Sequence, residues 1–119
     1  MKAELIDLYS TDIPEPLSDF LPNVKDNFGF LVRMIVGEKS LGGEESFDFF
    51  LYAPNWLLSN YKGDDIVFGI HYLIVFEYNY EKIYNTLRKY INNLEEKIWK
   101  DIGLKSGRIG HWEFQDYRK

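Results

Sequence analysis

Acid–base or metal chemistry in this 119-residue chain would depend on its only two histidines, His71 and His111. On a strand, His111 and Glu113 would point to the same side, because strand side chains alternate between faces. Such a pair could bind a metal ion or transfer a proton. The spacing supplies no third ligand, and a closed zinc site normally needs four. The chain has no cysteine, which excludes thiolate metal sites and disulfides.

The remaining polar residues do not complete a catalytic set. His71 lies within an apolar segment, where a histidine is typical of a packed or hydrogen-bonded core position. Gly42-Gly43 precedes acids, so it is not a phosphate-binding loop, and no serine lies in a nucleophile motif. The adjacent carboxylates Glu44-Glu45 and Asp64-Asp65 would face opposite sides of a strand, which favours a charged rim. The sequence therefore predicts a non-enzyme with no catalytic residue, no metal and no cofactor.

Charge is distributed unevenly along the chain. Residues 1–65 contain 12 acidic and 5 basic side chains, whereas residues 66–119 contain 7 acidic and 9 basic ones, for a net charge of −5. An acidic half disfavours nucleic acid as a ligand, because Lys and Arg supply most of the affinity for phosphates. It could instead speed the encounter with a basic protein, or only keep the protein soluble. Aromatic residues, at 18%, favour dense core packing, since the basic residues of an RNA-binding sheet are missing.

Length and hydropathy predict a single cytoplasmic domain. The chain length fits one domain, residues 1–119. The N-terminus has acids within its apolar stretch, which is unlike a signal peptide. The longest apolar run, Tyr72 to Phe76, is far too short to span a bilayer, so we expect no membrane partner.

The apolar pattern alternates between strand and helix periods. Residues 27–36 carry apolar side chains on both faces, which is typical of a central strand, and Gly42 and Gly43 suit a hairpin. Apolar residues at helical spacing from Ile83 to Leu94 predict a helix with one apolar stripe. The predicted strands are 3–9, 27–36, 45–53, 70–77 and 108–114, and the predicted helices are 55–61, 79–96 and 97–102. We predict an α+β fold: a mostly antiparallel sheet of about five strands, one long helix packed on one face, and a short helix between strands.

Five stretches spread along nearly the whole chain form one pattern. They are Asn27-Phe28-Gly29-Phe30, Gly43-Glu44-Glu45-Ser46-Phe47-Asp48-Phe49, Ala53-Pro54-Asn55-Trp56-Leu57, His71-Tyr72-Leu73-Ile74-Val75 and Ile109-Gly110-His111-Trp112-Glu113-Phe114. In this order they resemble the immunity protein 8 family of bacterial polymorphic toxin systems. The resemblance implies an α+β protein that binds a cognate toxin domain and blocks its active site or substrate path. It implies no catalytic residues.

Charge and loop position predict which residues would contact such a toxin. A basic nuclease is one candidate partner, because an acidic inhibitor mimics the phosphates that a nuclease attracts. The predicted partner-binding residues are Glu44, Glu45, Asp48, Asp64, Asp65, His111 and Glu113. Trp56 and Trp112 fit either interface anchors or core residues. Two alternatives stay open: a small His/Glu-dependent enzyme or metal-binding protein, and a regulatory subunit without a toxin partner.

Overall fold

A computed structural model describes residues 1–40, 42–61, 63 and 66–114 of the chain. Its elements follow in the order β1 (Ala3–Tyr9), β2 (Gly29–Glu38), β3 (Glu44–Tyr52), α1 (Pro54–Asn60), β4 (Tyr72–Ile74), α2 (Tyr80–Asn92), α3 (Trp99–Ser106) and β5 (His111–Trp112). The α+β class and the five strands are as predicted. The described residues contain three helices, as predicted, but all three are short: α2 has 13 residues, where the sequence predicts one long helix over 79–96.

The five strands form a mixed sheet. The order is β1-β2-β3-β4, and β5 also pairs with β3. β1 and β3 are antiparallel to β2, and β5 is antiparallel to β3, but β4 runs parallel to β3. The prediction of a mostly antiparallel sheet is therefore corrected at β4. Parallel pairing needs a connection of a dozen or more residues, and residues 53–71, which include α1, provide one.

The two faces of the sheet differ in burial. Val32 and Met34 of β2 are buried, whereas Leu31 and Arg33 are exposed. Val32 lies opposite Phe49 on β3, and residues that lie opposite each other share a face of the sheet. The strand register therefore assigns the residues of β3 to the same two faces. The inner face comprises Phe30, Val32, Met34, Val36, Phe47, Phe49 and Leu51, and its core includes Ile83, Leu87, Ile91 and Ile102 of the helices. The outer face comprises Leu31, Arg33, Ile35, Ser46, Asp48 and Phe50.

α2 begins at the predicted cap and ends earlier than predicted. The Asn79 side chain accepts a hydrogen bond from the Lys82 N–H at 3.2 Å, which satisfies a free donor of the first turn. After Asn92 the chain pairs with the start of β1 instead of continuing the helix to residue 96. The Ala3 N–H donates to the Leu94 carbonyl at 3.0 Å, and the Glu96 N–H donates to the Met1 carbonyl at 2.9 Å.

α3 continues through Gly103, where the sequence predicts that the helix ends. The glycine lies against Trp112, because a Cβ added there would stand 2.5 Å from the indole ring. We expect Gly103→Ala to lower the free energy of unfolding by up to about 2 kcal/mol. Overpacking costs roughly 1–3 kcal/mol, which outweighs the gain of about 1 kcal/mol from alanine in a helix.

Urea denaturation of Gly103→Ala measures this balance. Gly69→Ala is the matched control, because nothing lies within 4 Å of a Cβ added at Gly69. The control is expected to change stability by less than about 0.5 kcal/mol. A Gly103→Ala protein more stable than the unsubstituted chain would contradict the close packing of Trp112 on α3.

Candidate functional site

A row of polar side chains crosses the outer face of the sheet. Tyr9 lies opposite Arg33, Arg33 lies opposite Asp48, and Asp48 lies opposite His111. Cross-strand partners stand side by side on one face of a sheet. β1, β2, β3 and β5 therefore each contribute one side chain to a continuous polar row. Two of the predicted partner-binding residues, Asp48 and His111, are neighbours in it.

Arg33 and Asp48 form a two-pronged ion pair at the centre of this polar row. Arg33 Nε donates to Asp48 Oδ1 at 2.8 Å, and Nη2 donates to Oδ2 at 2.9 Å. These bonds, and a further one with Tyr9, raise the pKa of Arg33 above its ordinary value. Because both side chains stay partly exposed, the pair contributes at most about 1 kcal/mol to stability. The guanidinium offsets the charge of Asp48. A binding partner would therefore meet oriented polar groups at this position, and little net negative charge.

The two histidines meet at the end of the polar row. Their ring centroids are 5.7 Å apart in an edge-on arrangement. His71 precedes β4 with a φ of +60°, and its Nε2 lies 2.9 Å from the Gly107 carbonyl oxygen. The predicted hydrogen bond is therefore confirmed, but His71 is half-buried and does not lie in the core. No spacing pattern in the sequence indicates this contact, because the two residues are 40 positions apart and meet only through the pairing of the sheet. Within the described ranges, no group of three or more His, Asp or Glu residues could hold a metal ion.

Glu45 points away from the polar row. It lies opposite Val36, on the side of the inner face. Its carboxylate accepts a hydrogen bond from Trp99 Nε1 at 3.1 Å and another from Trp112 Nε1 at 3.3 Å. Trp112 is buried, so of its two predicted roles the structure favours the core. Glu45 thus joins α3 and β5 to the start of β3, whereas its neighbour Glu44 is exposed.

The other predicted partner-binding residues lie at the margin of the outer face or beyond the described structure. Glu113 is exposed and follows β5, which ends at Trp112, so strand alternation does not extend from His111 to Glu113. Asp64 and Asp65 lie outside the described residues. The structure therefore brings together Asp48 and His111, and it separates Glu45 from them.

An aromatic cluster on the outer face was not predicted as part of the site. Phe50 is 5.1 Å from Trp56 and 6.2 Å from Tyr72, measured between ring centroids, and Tyr52 is 5.5 Å from Tyr72. Trp56 of α1 lies over Gly29, where a Cβ would stand 2.5 Å from its ring. Burial raises the pKa of Tyr52. The cluster connects α1 to β4 and extends the outer face as far as the edge of the sheet.

The family model described as Immunity protein 8 matches residues 3–117, nearly the whole of the chain. The chain belongs to the immunity protein 8 family. This confirms the resemblance carried by the five sequence stretches. No curated protein and no solved structure matches the chain.

Membership of the immunity protein 8 family gives the outer face a functional context. An immunity protein implies a toxin partner of some kind, and it implies a protein that acts by binding, not by catalysis. None of the described helices is long and apolar enough to cross a membrane.

Proposed function

We propose that this chain binds a cognate bacterial polymorphic toxin and neutralises it by blocking the toxin's active site or substrate path. The observation that carries the proposal is the family match over residues 3–117. The charge distribution supports it, since residues 1–65 contain 12 acids against 5 bases. That excess attracts a basic protein, and a nuclease, which must attract phosphates, is the toxin class it suits best.

The outer face is the proposed toxin-binding surface. Asp48 and His111 supply its polar row, and Glu44 and Glu113 are exposed near the ends of β3 and β5. Asp64 and Asp65 stay in the proposal on charge alone. The part proposed for Glu45 is indirect, because its carboxylate holds the two indoles of α3 and β5.

Co-expression with the product of the neighbouring gene, which we expect to be the toxin, tests this function. The toxin alone is expected to stop growth, and co-expression of this chain is expected to restore it. Gel filtration should then recover the two proteins as one complex. A toxin from an unrelated pair is the control, and it should be neither bound nor neutralised. Continued growth arrest, with no complex on gel filtration, would contradict the proposal.

We expect Glu44→Lys to slow association with this toxin several-fold and to leave dissociation nearly unchanged. A charge at the rim of an interface acts mainly by steering the encounter, so the effect should shrink as salt is added. Stopped-flow association at low and high salt measures both properties. Glu15→Lys, an exposed acid in the segment between β1 and β2, is the matched control. Equal association rates for the two variants would remove Glu44 from the proposed surface.

A further inference from the structure

Residues 66–76 form an apolar stretch that exposes its large side chains. The stretch contains no Asp, Glu, Lys or Arg. Large apolar side chains recur at every second position, and most are more than half exposed, with Phe68 at 84%, Phe76 at 79% and Ile74 at 53%. Scattered exposed hydrophobic residues are ordinary, but a periodic run of them is typical of a surface that another molecule covers.

The backbone of β4 is open along the same stretch. Phe50 N–H donates to the His71 carbonyl, and Val75 N–H donates to the Tyr52 carbonyl. With Phe50 opposite Tyr72 and Tyr52 opposite Ile74, parallel geometry directs the backbone groups of residues 71, 73 and 75 toward β3. The N–H and C=O groups of Tyr72 and Ile74 therefore point away from the sheet. We call these groups the open edge.

The opposite edge of the sheet differs from the open edge. At β1, the Ala3 N–H donates to the Leu94 carbonyl at 3.0 Å, and the Leu5 N–H donates to Asn92 Oδ1 at 2.8 Å. The residues that follow α2 thus occupy donors along β1. β4 is the last strand of the sheet order within the described residues, and no comparable segment is paired with it there.

A groove runs beside the open edge, between β4 and the first turns of α2. Its volume is about 450 Å³, and its lining includes Leu73, Val75, Phe76, Lys82 and Ile83. An unpaired strand edge accepts an extended backbone, and an adjacent apolar groove accepts its alternate side chains. The unpaired edge of β4 and the groove beside it together suit one kind of ligand, a β-strand with apolar residues at every second position.

We propose that β4 binds an extended segment of the toxin, which adds to the sheet as a further strand beside Tyr72 and Ile74. This inference rests on the proposed function, and it identifies the part of the toxin that is bound. The open edge adjoins the proposed toxin-binding surface, because His71 directly precedes β4 and contacts His111. The net charge of −5 favours a basic toxin over a second copy of the chain, since two copies repel each other.

Proline at position 74 tests the backbone contact directly. The Ile74 N–H points outward, so Ile74→Pro removes a donor of the open edge and keeps the bonds between β4 and β3. Ile74→Lys is the second variant, because a lysine on an edge strand opposes the addition of another strand. It replaces a side chain that is 53% exposed and so preserves the fold. Leu21→Lys is the matched control, since Leu21 is 81% exposed and precedes β2.

Calorimetric titration with a catalytically inactive form of the neighbouring-gene toxin measures the effect. Both Ile74 variants should weaken binding on the order of 30-fold, the loss typical of an interface hot spot, and Leu21→Lys should bind as tightly as the unsubstituted chain. Hydrogen exchange provides an independent readout. Toxin binding should protect the amides of Tyr72 and Ile74, while the Leu73 amide, already bonded to β3, should change little.

The outcomes separate this inference from the proposed function. If the unsubstituted chain does not bind the toxin, both fall. If it binds, but Ile74→Lys binds equally well and the Tyr72 and Ile74 amides stay unprotected, the strand addition is wrong and the immunity function stands. If sedimentation shows a dimer that Ile74→Lys dissociates without weakening toxin binding, the occupant is a second copy, and the inference is overturned.

Discussion

Trp112→Ala is expected to lower the free energy of unfolding by about 3–5 kcal/mol, the range for removing a large aromatic side chain from a core. Trp112 is only 6% exposed and stacks on Phe47 with ring centroids 6.1 Å apart. It also packs against Gly103 of α3 and donates to Glu45. The substitution removes these contacts together and leaves a cavity between the sheet and α3. Urea denaturation followed by circular dichroism measures the loss.

Trp56→Ala is the matched control for Trp112→Ala. Trp56 packs on Gly29 and Phe50 at the outer face, where it is only half-buried. Its removal should cost clearly less stability than removal of Trp112. If the two variants lost equal stability, β5 would not be held to the core in the way the structure shows. Trp112→Phe should cost less than Trp112→Ala, because it keeps an aromatic ring on Phe47 while it removes the N–H donor and the indole ring atoms that lie against Gly103.

The first three strands were predictable because their pattern is local and strong. β1 matches its predicted span, 3–9, and β2 and β3 differ from theirs by no more than two residues at either end. Alternating apolar residues on β2 match a strand buried between two neighbours, and Gly42 and Gly43 have the positive φ expected of the hairpin. In these segments the alternation of apolar residues and the pairing with neighbouring strands favour the same structure.

The shorter strands were predicted less well because their extent depends on distant partners. Residues 66–76 alternate as a strand would, yet only Tyr72–Ile74 pairs with β3. Chain direction at β4 follows from how α1 crosses between β3 and β4, which apolar periodicity does not encode. β5 likewise extends only over the two residues that lie opposite Phe47 and Asp48.

The candidate site shows the same division between local and tertiary information. Charge identified Asp48 as a surface residue, but only the register shows Arg33 paired with it. His111 of β5 and His71, which directly precedes β4, are brought together by the pairing of both strands with β3. Glu45 is the clearest case. In the sequence it is one of two adjacent acids, a pattern typical of a solvated rim. In the structure its carboxylate binds two indoles that come from α3 and β5, which the local sequence does not indicate.

Glu45→Ala is therefore expected to lower the free energy of unfolding by about 2–3 kcal/mol, because hydrogen bonds to a charged group contribute roughly 1.5–3 kcal/mol and this carboxylate accepts two in a half-buried position. The indole N–H groups of Trp99 and Trp112 would both lose their acceptor. Glu45→Gln should lose less stability than Glu45→Ala, since the two indoles bond different carboxylate oxygens and the glutamine keeps one oxygen acceptor but replaces the other with an NH2 group that cannot accept. Urea denaturation of both variants measures the difference.

Glu44→Ala is the control that decides what these adjacent acids do. Glu44 is exposed, so its removal should change stability by less than about 0.5 kcal/mol. If Glu45→Ala were equally mild, the double indole contact would have no structural role, and Glu45 would return to the set of direct toxin-contacting residues. If only Glu45→Ala is destabilising, a loss of toxin neutralisation in that variant reports on the fold, whereas a loss in Glu44→Lys reports on the interface.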